Sequence, residues 1–173
     1  MRKYVYGTTC RLSSVGDPAE VRASPEAMGA FLARAPESDV HIYWHAMTFL
    51  LTGEADGGDE PLCYLLKGGE TIGQTDAGPV RYLAPDEAAR FSSAIAEISP
   101  DDIGEDRYDL AVLDRNHIYP ERWQLDGEEN DLLGNIRELY SYFQSMLARA
   151  AARGHGVVVS YENTELYFED DEE

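Results

Sequence analysis

His41 and His45 stand four residues apart, the spacing at which two imidazoles on one helix point the same way and can grip a metal ion. Such a clamp needs a third donor, and the chain offers Glu37, Asp39, His117 or the acidic stretch 54–60. The HExxH form is absent, because Ile42 follows His41. The other reading is one surface histidine and one that packs or hydrogen-bonds beside Trp44. The sequence favours that second reading, and no metal or other cofactor is expected. Cys10 and Cys63 have neither a paired nor a CxxC spacing, and Cys63 sits in the run Leu62-Cys63-Tyr64-Leu65-Leu66. A nucleophilic thiol needs a positioned base, so two inert buried thiols are expected instead. No serine lies in a GxSxG elbow, and Gly68-Gly69 and Gly78 match neither GxGxxG nor a Walker loop. No catalytic residue is assigned, and the balance leans away from an enzyme.

The aromatic residues say more. Trp44, Tyr82, Tyr119 and Trp123 each lie beside a turn, a glycine or a proline, and Arg81 precedes Tyr82. An arginine among aromatics can clamp an anionic ligand or stack in a recognition groove. It can equally satisfy buried carbonyls and lock two loops together. Both readings stand at this level.

Charge narrows the classes of partner. Of 173 residues, 33 are acidic and 14 basic, a formal net charge of −19. A surface of that sign repels phosphates and anionic lipid, so nucleic acid and membranes are disfavoured, and it attracts a basic protein. The same charge also arises where a genome or a salty cytoplasm favours acids, and every base other than Lys3 and Lys67 is arginine. No apolar run approaches the roughly 20 residues of a membrane span, and the start of the chain lacks a signal peptide's apolar stretch. A cytoplasmic protein is expected.

The elements that must position these residues follow from periodicity. Residues 3–12 alternate as a half-buried strand. Ser24-Pro25-Glu26 opens a helix that Pro36 closes, and the apolar spacing from Asp39 to Leu51 predicts a second, stopped by Gly53. Short helices are expected over Pro61–Lys67, after Pro85 and after Ser99, with a turn or two over Tyr108–Arg115. Val80–Leu83 reads as extended. From about Glu128 to Arg153, apolar residues recur at spacings of one, three and four without a miss, the mark of a long amphipathic helix. Val157–Tyr161 reads as the last strand. The expected fold is α+β: one domain over residues 1–161, with a small sheet that includes N- and C-terminal strands packed on the long helix and shorter helices around it. Residues 162–173 read as a solvated acidic tail.

Trp44-His45-Ala46-Met47, Phe49 to Gly53, Leu66 to Gly69, Gly78 to Leu83 and Ile118 to Trp123 occur in that order, followed by the long helix and the valine strand. This combination, over roughly residues 39–161, resembles the YfbM-like family of small bacterial proteins of unknown function. Family members often carry Asp-Lys where His41-Ile42 stand here, a second histidine at Thr48 and an aromatic at Ala77. The resemblance leaves Trp44, His45, Arg81, Tyr119 and Trp123 as the positions of a shared ligand- or partner-binding site. It implies a fold and no established reaction, and a role for some relatives as immunity proteins in toxin systems. The reading that follows is a non-enzymatic interaction domain, of the inhibitor type, for a basic partner. The alternative is a small-molecule-binding domain or enzyme with a pocket around His45, Arg81 and Tyr119.

Overall fold

Three consecutive valines, Val157, Val158 and Val159, are all fully buried. Successive side chains on a strand point to opposite faces, so this run requires a sheet covered on both sides. The computed structural model describes residues 3–35, 38–124 and 131–168 and has that architecture. Strands β1 (Lys3–Val15), β2 (Ser38–His41), β3 (Glu70–Thr75), β4 (Gly78–Leu83) and β5 (Gly156–Phe168) form an antiparallel sheet in the order β2-β1-β5-β4-β3. The helices are α1 (Ala19–Arg22), α2 (Pro25–Arg34), α3 (Trp44–Thr52), α4 (Pro85–Ala96), α5 (Leu110–Arg115) and α6 (Leu132–Ala152).

The sheet divides two cores. On one face Cys10, Leu12, Val157 and Val159 meet Met47 of α3, Phe91 and Ile95 of α4, and Ile136, Phe143 and Leu147 of α6. On the other, Val15, Val80 and Val158 meet Val21, Met28 and Phe31 of α1 and α2. Both cysteines are buried thiols, as their surroundings in the sequence predict. The α+β class is as expected, with strands from both ends of the chain in the sheet and the long helix packed against it.

Helix ends follow local chemistry. Ser24 Oγ accepts from the Ala27 amide at 3.0 Å, Asp131 Oδ1 from the Gly134 amide at 2.9 Å, and Gly53 ends α3 in the left-handed region at φ 74°. No glycine ends α4. Instead the Tyr140 hydroxyl reaches the Ile95 and Ile98 carbonyls at 2.9 and 3.0 Å, and Gln144 Nε2 donates to the same pair at 2.7 and 2.8 Å. Two side chains of α6 thus satisfy the C-terminal carbonyls of α4 and fix the two helices together.

Several expectations are corrected. The helix over 39–51 begins only at Trp44, because Ser38–His41 pairs with β1 at Cys10–Leu12 and His41 turns the chain with φ 53°. Pairing with a strand that lacked an edge partner outweighs the helical spacing. Pro61–Lys67 forms successive turns rather than a helix, closed by Gly68 at φ 89°, and so do the residues after Ser99, where Gly104 takes the left-handed region at φ 82°. Strand β3, Glu-Thr-Ile-Gly-Gln-Thr, is an edge strand with little apolar alternation and was not foreseen. Its Gly73 lies under Met28, whose sulfur an added Cβ would strike. The expected tail from residue 162 is strand as far as Phe168, held by pairing with β1 from Lys3 to Thr9. The remainder of that tail, residues 169–173, lies outside the described residues, as do Pro36, Glu37 and the first turn expected at 128–130.

Gly69 precedes β3 at φ 74°, where a Cβ would lie 2.7 Å from both the Tyr82 carbonyl oxygen and Leu83 Cδ2. Gly69→Ala should cost about 2–4 kcal/mol, read as a lower urea midpoint at an unchanged slope.

Candidate functional site

Strand β1 runs for 13 residues, but β2 pairs with it only over Cys10–Leu12. Thr8 lies next along that edge, and its amide and carbonyl face outward with no strand to meet them. Two aromatic side chains take their place. The Thr8 amide donates to Tyr119 Oη at 2.7 Å, and Trp44 Nε1 donates to the Thr8 carbonyl at 2.9 Å. The two rings stack with centroids 5.3 Å apart. Each supplies apolar area and one polar tip, so together they complete the edge as a neighbouring backbone would.

His45 also stacks with Trp44, at 5.6 Å. The Tyr119 amide donates to its Nδ1 at 2.9 Å, which places the ring proton on Nε2, 2.7 Å from the Ala55 carbonyl that accepts it. Both ring nitrogens are thereby engaged by backbone groups. His41 sits on β2 rather than on α3, so the two histidines do not share a helix face and the two-histidine clamp is not formed. Among the described residues no group of three or more His, Cys, Asp or Glu gathers as a metal site.

Arg81 joins the stack through Tyr161, whose ring meets Trp44 edge-on at 5.4 Å. Arg81 is only 4% exposed. It donates from Nη1 to the Gly68 carbonyl and from Nη2 to the Tyr161 hydroxyl, both at 2.9 Å; its Nε is buried without a partner. The Tyr161 hydroxyl donates in turn to the Leu65 carbonyl. Burial pushes the Tyr161 hydroxyl up to about 12 against the opposing pull of Arg81. Trp123 stands apart from the stack. Its Nε1 donates to the Ile118 carbonyl at 2.8 Å, and its ring lies 6.0 Å from that of Tyr43.

Trp44, His45, Arg81 and Tyr119 are therefore brought together, and Trp123 closes a neighbouring turn. Thr8, Ala55 and Tyr161 complete the cluster. The sequence gives no signal for the first two, because their backbones do the bonding; Tyr161 was legible only as a strand residue. None of the three grooves described below is lined by any of the five candidates.

The surface electrostatics concentrate elsewhere, at the C-terminus of α3. Arg107 Nη1 donates to the Leu50 and Leu51 carbonyls at 2.9 and 3.1 Å, and so pins an acid-rich turn against that helix end. Exposed carboxylates flank it: Glu54, Asp56, Asp59 and Glu60 on the following loop, and Asp101, Asp102, Glu105 and Asp106 on the turn. The loop lines a groove of about 600 Å³ with Lys67. The Gly58 amide, and then the Lys67 ammonium, hold the Asp56 carboxyl below the usual carboxylate range. A lone cation within a run of acids was the available clue to Arg107. A second groove, about 590 Å³, lies on the α2 side of the sheet, and a third, about 340 Å³, lies between Tyr43 and α6.

The model of a family described as a domain of unknown function (DUF1877) matches residues 17–160. A solved structure of YfbM, a protein of unknown function from Escherichia coli, is similar with a TM-score of 0.66 and 16% identity, over 87% of this chain and 98% of that one. At that identity the likeness is one of fold. No curated protein is significantly similar to the chain. The resemblance read from the sequence is borne out.

Two outcomes follow from this geometry. Trp44→Phe and Tyr119→Phe should each cost about 1–2 kcal/mol by leaving one Thr8 group unmet, and the pair should combine non-additively in a denaturation cycle. Tyr140 and Tyr161 hold their protons to about 12 when folded, whereas an unfolded tyrosine titrates near 10. The unfolded state therefore loses protons first, and stability present below pH ~10 should be lost as the pH rises to ~12. Urea midpoints measured across that range check the slope.

Proposed function

The chain belongs to the DUF1877 family, and we propose that it acts as a non-enzymatic interaction domain that binds a basic protein through the acidic surface around the end of α3. The reading rests chiefly on the acid-rich turn that Arg107 holds against the end of α3, from which the acidic loop 54–60 continues. Away from it, Arg22 pairs with Glu70 and Arg34 with Glu20. Within the acidic surface, Glu60 faces Arg90 at 3.9 Å and Asp56 faces Lys67 at 3.8 Å, and no ion pair is formed by Glu54, Asp59, Asp101, Asp102, Glu105 or Asp106 among the described residues. A lysine- or arginine-rich partner would find there both charge and a groove able to admit a side chain. An inhibitor of a cationic enzyme, such as an immunity protein against a basic toxin, has this chemistry. A cytoplasmic location fits it.

The alternative, a pocket around His45, Arg81 and Tyr119, receives less support, since the polar atoms of His45 and Tyr119 already bond to backbone groups. These residues serve the interaction indirectly. His45 holds the Ala55 carbonyl and thereby the base of the acidic loop.

The test is capture from the native cell extract, followed by binding kinetics on the retained protein. The partner should be basic, and its association rate should fall about tenfold or more between low and physiological salt. Neutralising the surface with Glu54→Gln, Asp59→Asn and Glu105→Gln should slow association in the same way and leave the melting temperature unchanged. A partner whose binding ignores both salt and these substitutions would overturn the proposal, as would capture of none.

A further inference from the structure

The outward side of α6 departs from the acidity of the rest of the chain. Residues 139–161 are the longest run without an aspartate or glutamate, and most of α6 lies within it. At 3.6 residues per turn, Glu138, Tyr142, Ser145, Arg149 and Arg153 share the side of the helix opposite the buried Ile136, Tyr140, Phe143 and Leu147. All five are exposed. Tyr142, at 63%, is the one large hydrophobic side chain left so open among the described residues. Beside it Ser141, Ala148 and Ala152, also exposed, present little bulk. The side chains of Glu138, Arg149 and Arg153 form no ion pair among the described residues.

Charge decides what can cover this face. It carries a carboxylate toward the N-terminal end of α6 and two guanidiniums toward the C-terminal end, so its own inverted image is its complement. A uniformly basic partner would be repelled by the arginines, and a uniformly acidic one by Glu138 and the net charge of −19. We infer that α6 is the interface on which a second copy of the chain docks, antiparallel, about a two-fold axis near Ser145. That register sets each Glu138 beside the second copy's Arg149 and Arg153, and each Tyr142 against its Ala148 and the Arg149 guanidinium. The small side chains let the two helices approach to about 8–10 Å. Arg149 and Arg153 also suit the negative end of the helix dipole, but the single chain leaves Tyr142 open to water. One helix face about 30 Å long makes an interface at the small end of specific ones, so a dissociation constant on the order of 10 μM is expected. The inference is independent of the acidic surface at α3.

Sedimentation equilibrium of the whole chain tests it, at physiological salt, where the general repulsion between two chains of this charge is screened. The mass should rise from 19.3 kDa toward twice that value as the concentration passes through the micromolar range. Tyr142→Ser and Glu138→Arg should each weaken association about tenfold or more, while near-UV dichroism verifies that both variants keep the fold. Adding Arg149→Glu and Arg153→Glu to Glu138→Arg should restore most of the association, which damage to the fold would not do. A chain that stays monomeric up to about 1 mM would overturn the assignment. So would a dimer that ignores these substitutions, or a triple variant no tighter than Glu138→Arg alone. Binding of a different protein at Tyr142, by a chain that does not associate with itself, would count against it equally.

Discussion

A strand longer than its neighbour must find other partners for its backbone, and β1 outruns β2 at Thr8. The amide and carbonyl there are met by Tyr119 and Trp44, and much of the fold follows from that requirement. Trp44 is the first residue of α3, so meeting the Thr8 carbonyl sets where that helix starts. Tyr119 carries the turn after α5 to the sheet edge, and its amide then fixes His45. His45 in turn reaches the loop at Ala55. One unpaired strand residue thereby organises a helix, a turn and a loop. Residue types that suggest a site in the sequence here complete a sheet.

What the sequence disclosed, and what it did not, divides along the range of the interactions. Ser24 before Pro25, Gly53 after α3 and the apolar stripe of α6 act within a turn or two, so their elements were legible. The valine run 157–159 announced a strand, although its burial on both faces became clear only with α2 in place. Ser38–His41 carries helical spacing but is held by residues some thirty positions away, and no local pattern records that pairing. Strand β3 is similar: Met28 covers Gly73, and a glycine in a polar stretch gives no hint of the sulfur above it. Residues 162–168 read as acidic tail because their partner lies at the other end of the chain. For the candidate residues, the fold brings Trp44, His45, Arg81 and Tyr119 close together, but most of their bonds run to backbone atoms that residue types do not reveal.

The two faces of the sheet carry different loads. The larger core beneath α3, α4 and α6 is apolar and tied at its margins by side-chain bonds to helix carbonyls, as with Tyr140, Gln144 and Arg107. The α2 side is apolar for only part of its length and ends in hydroxyls and an ion pair. Packing alone accounts for the first face.

The pairing of Lys3 with Phe168 and of Val15 with Gly156 joins the two central strands from opposite ends of the chain. During synthesis β1 emerges before α1 to α6 and waits, because its main neighbour β5 follows them all. Until then it has the three-residue contact with β2, and its edge toward β5 stays open to any other strand in the cell. The sheet therefore closes from the middle only after β5 has been made, and a chain interrupted before it lacks the strand on which the others assemble. Such distant contacts also favour slow folding.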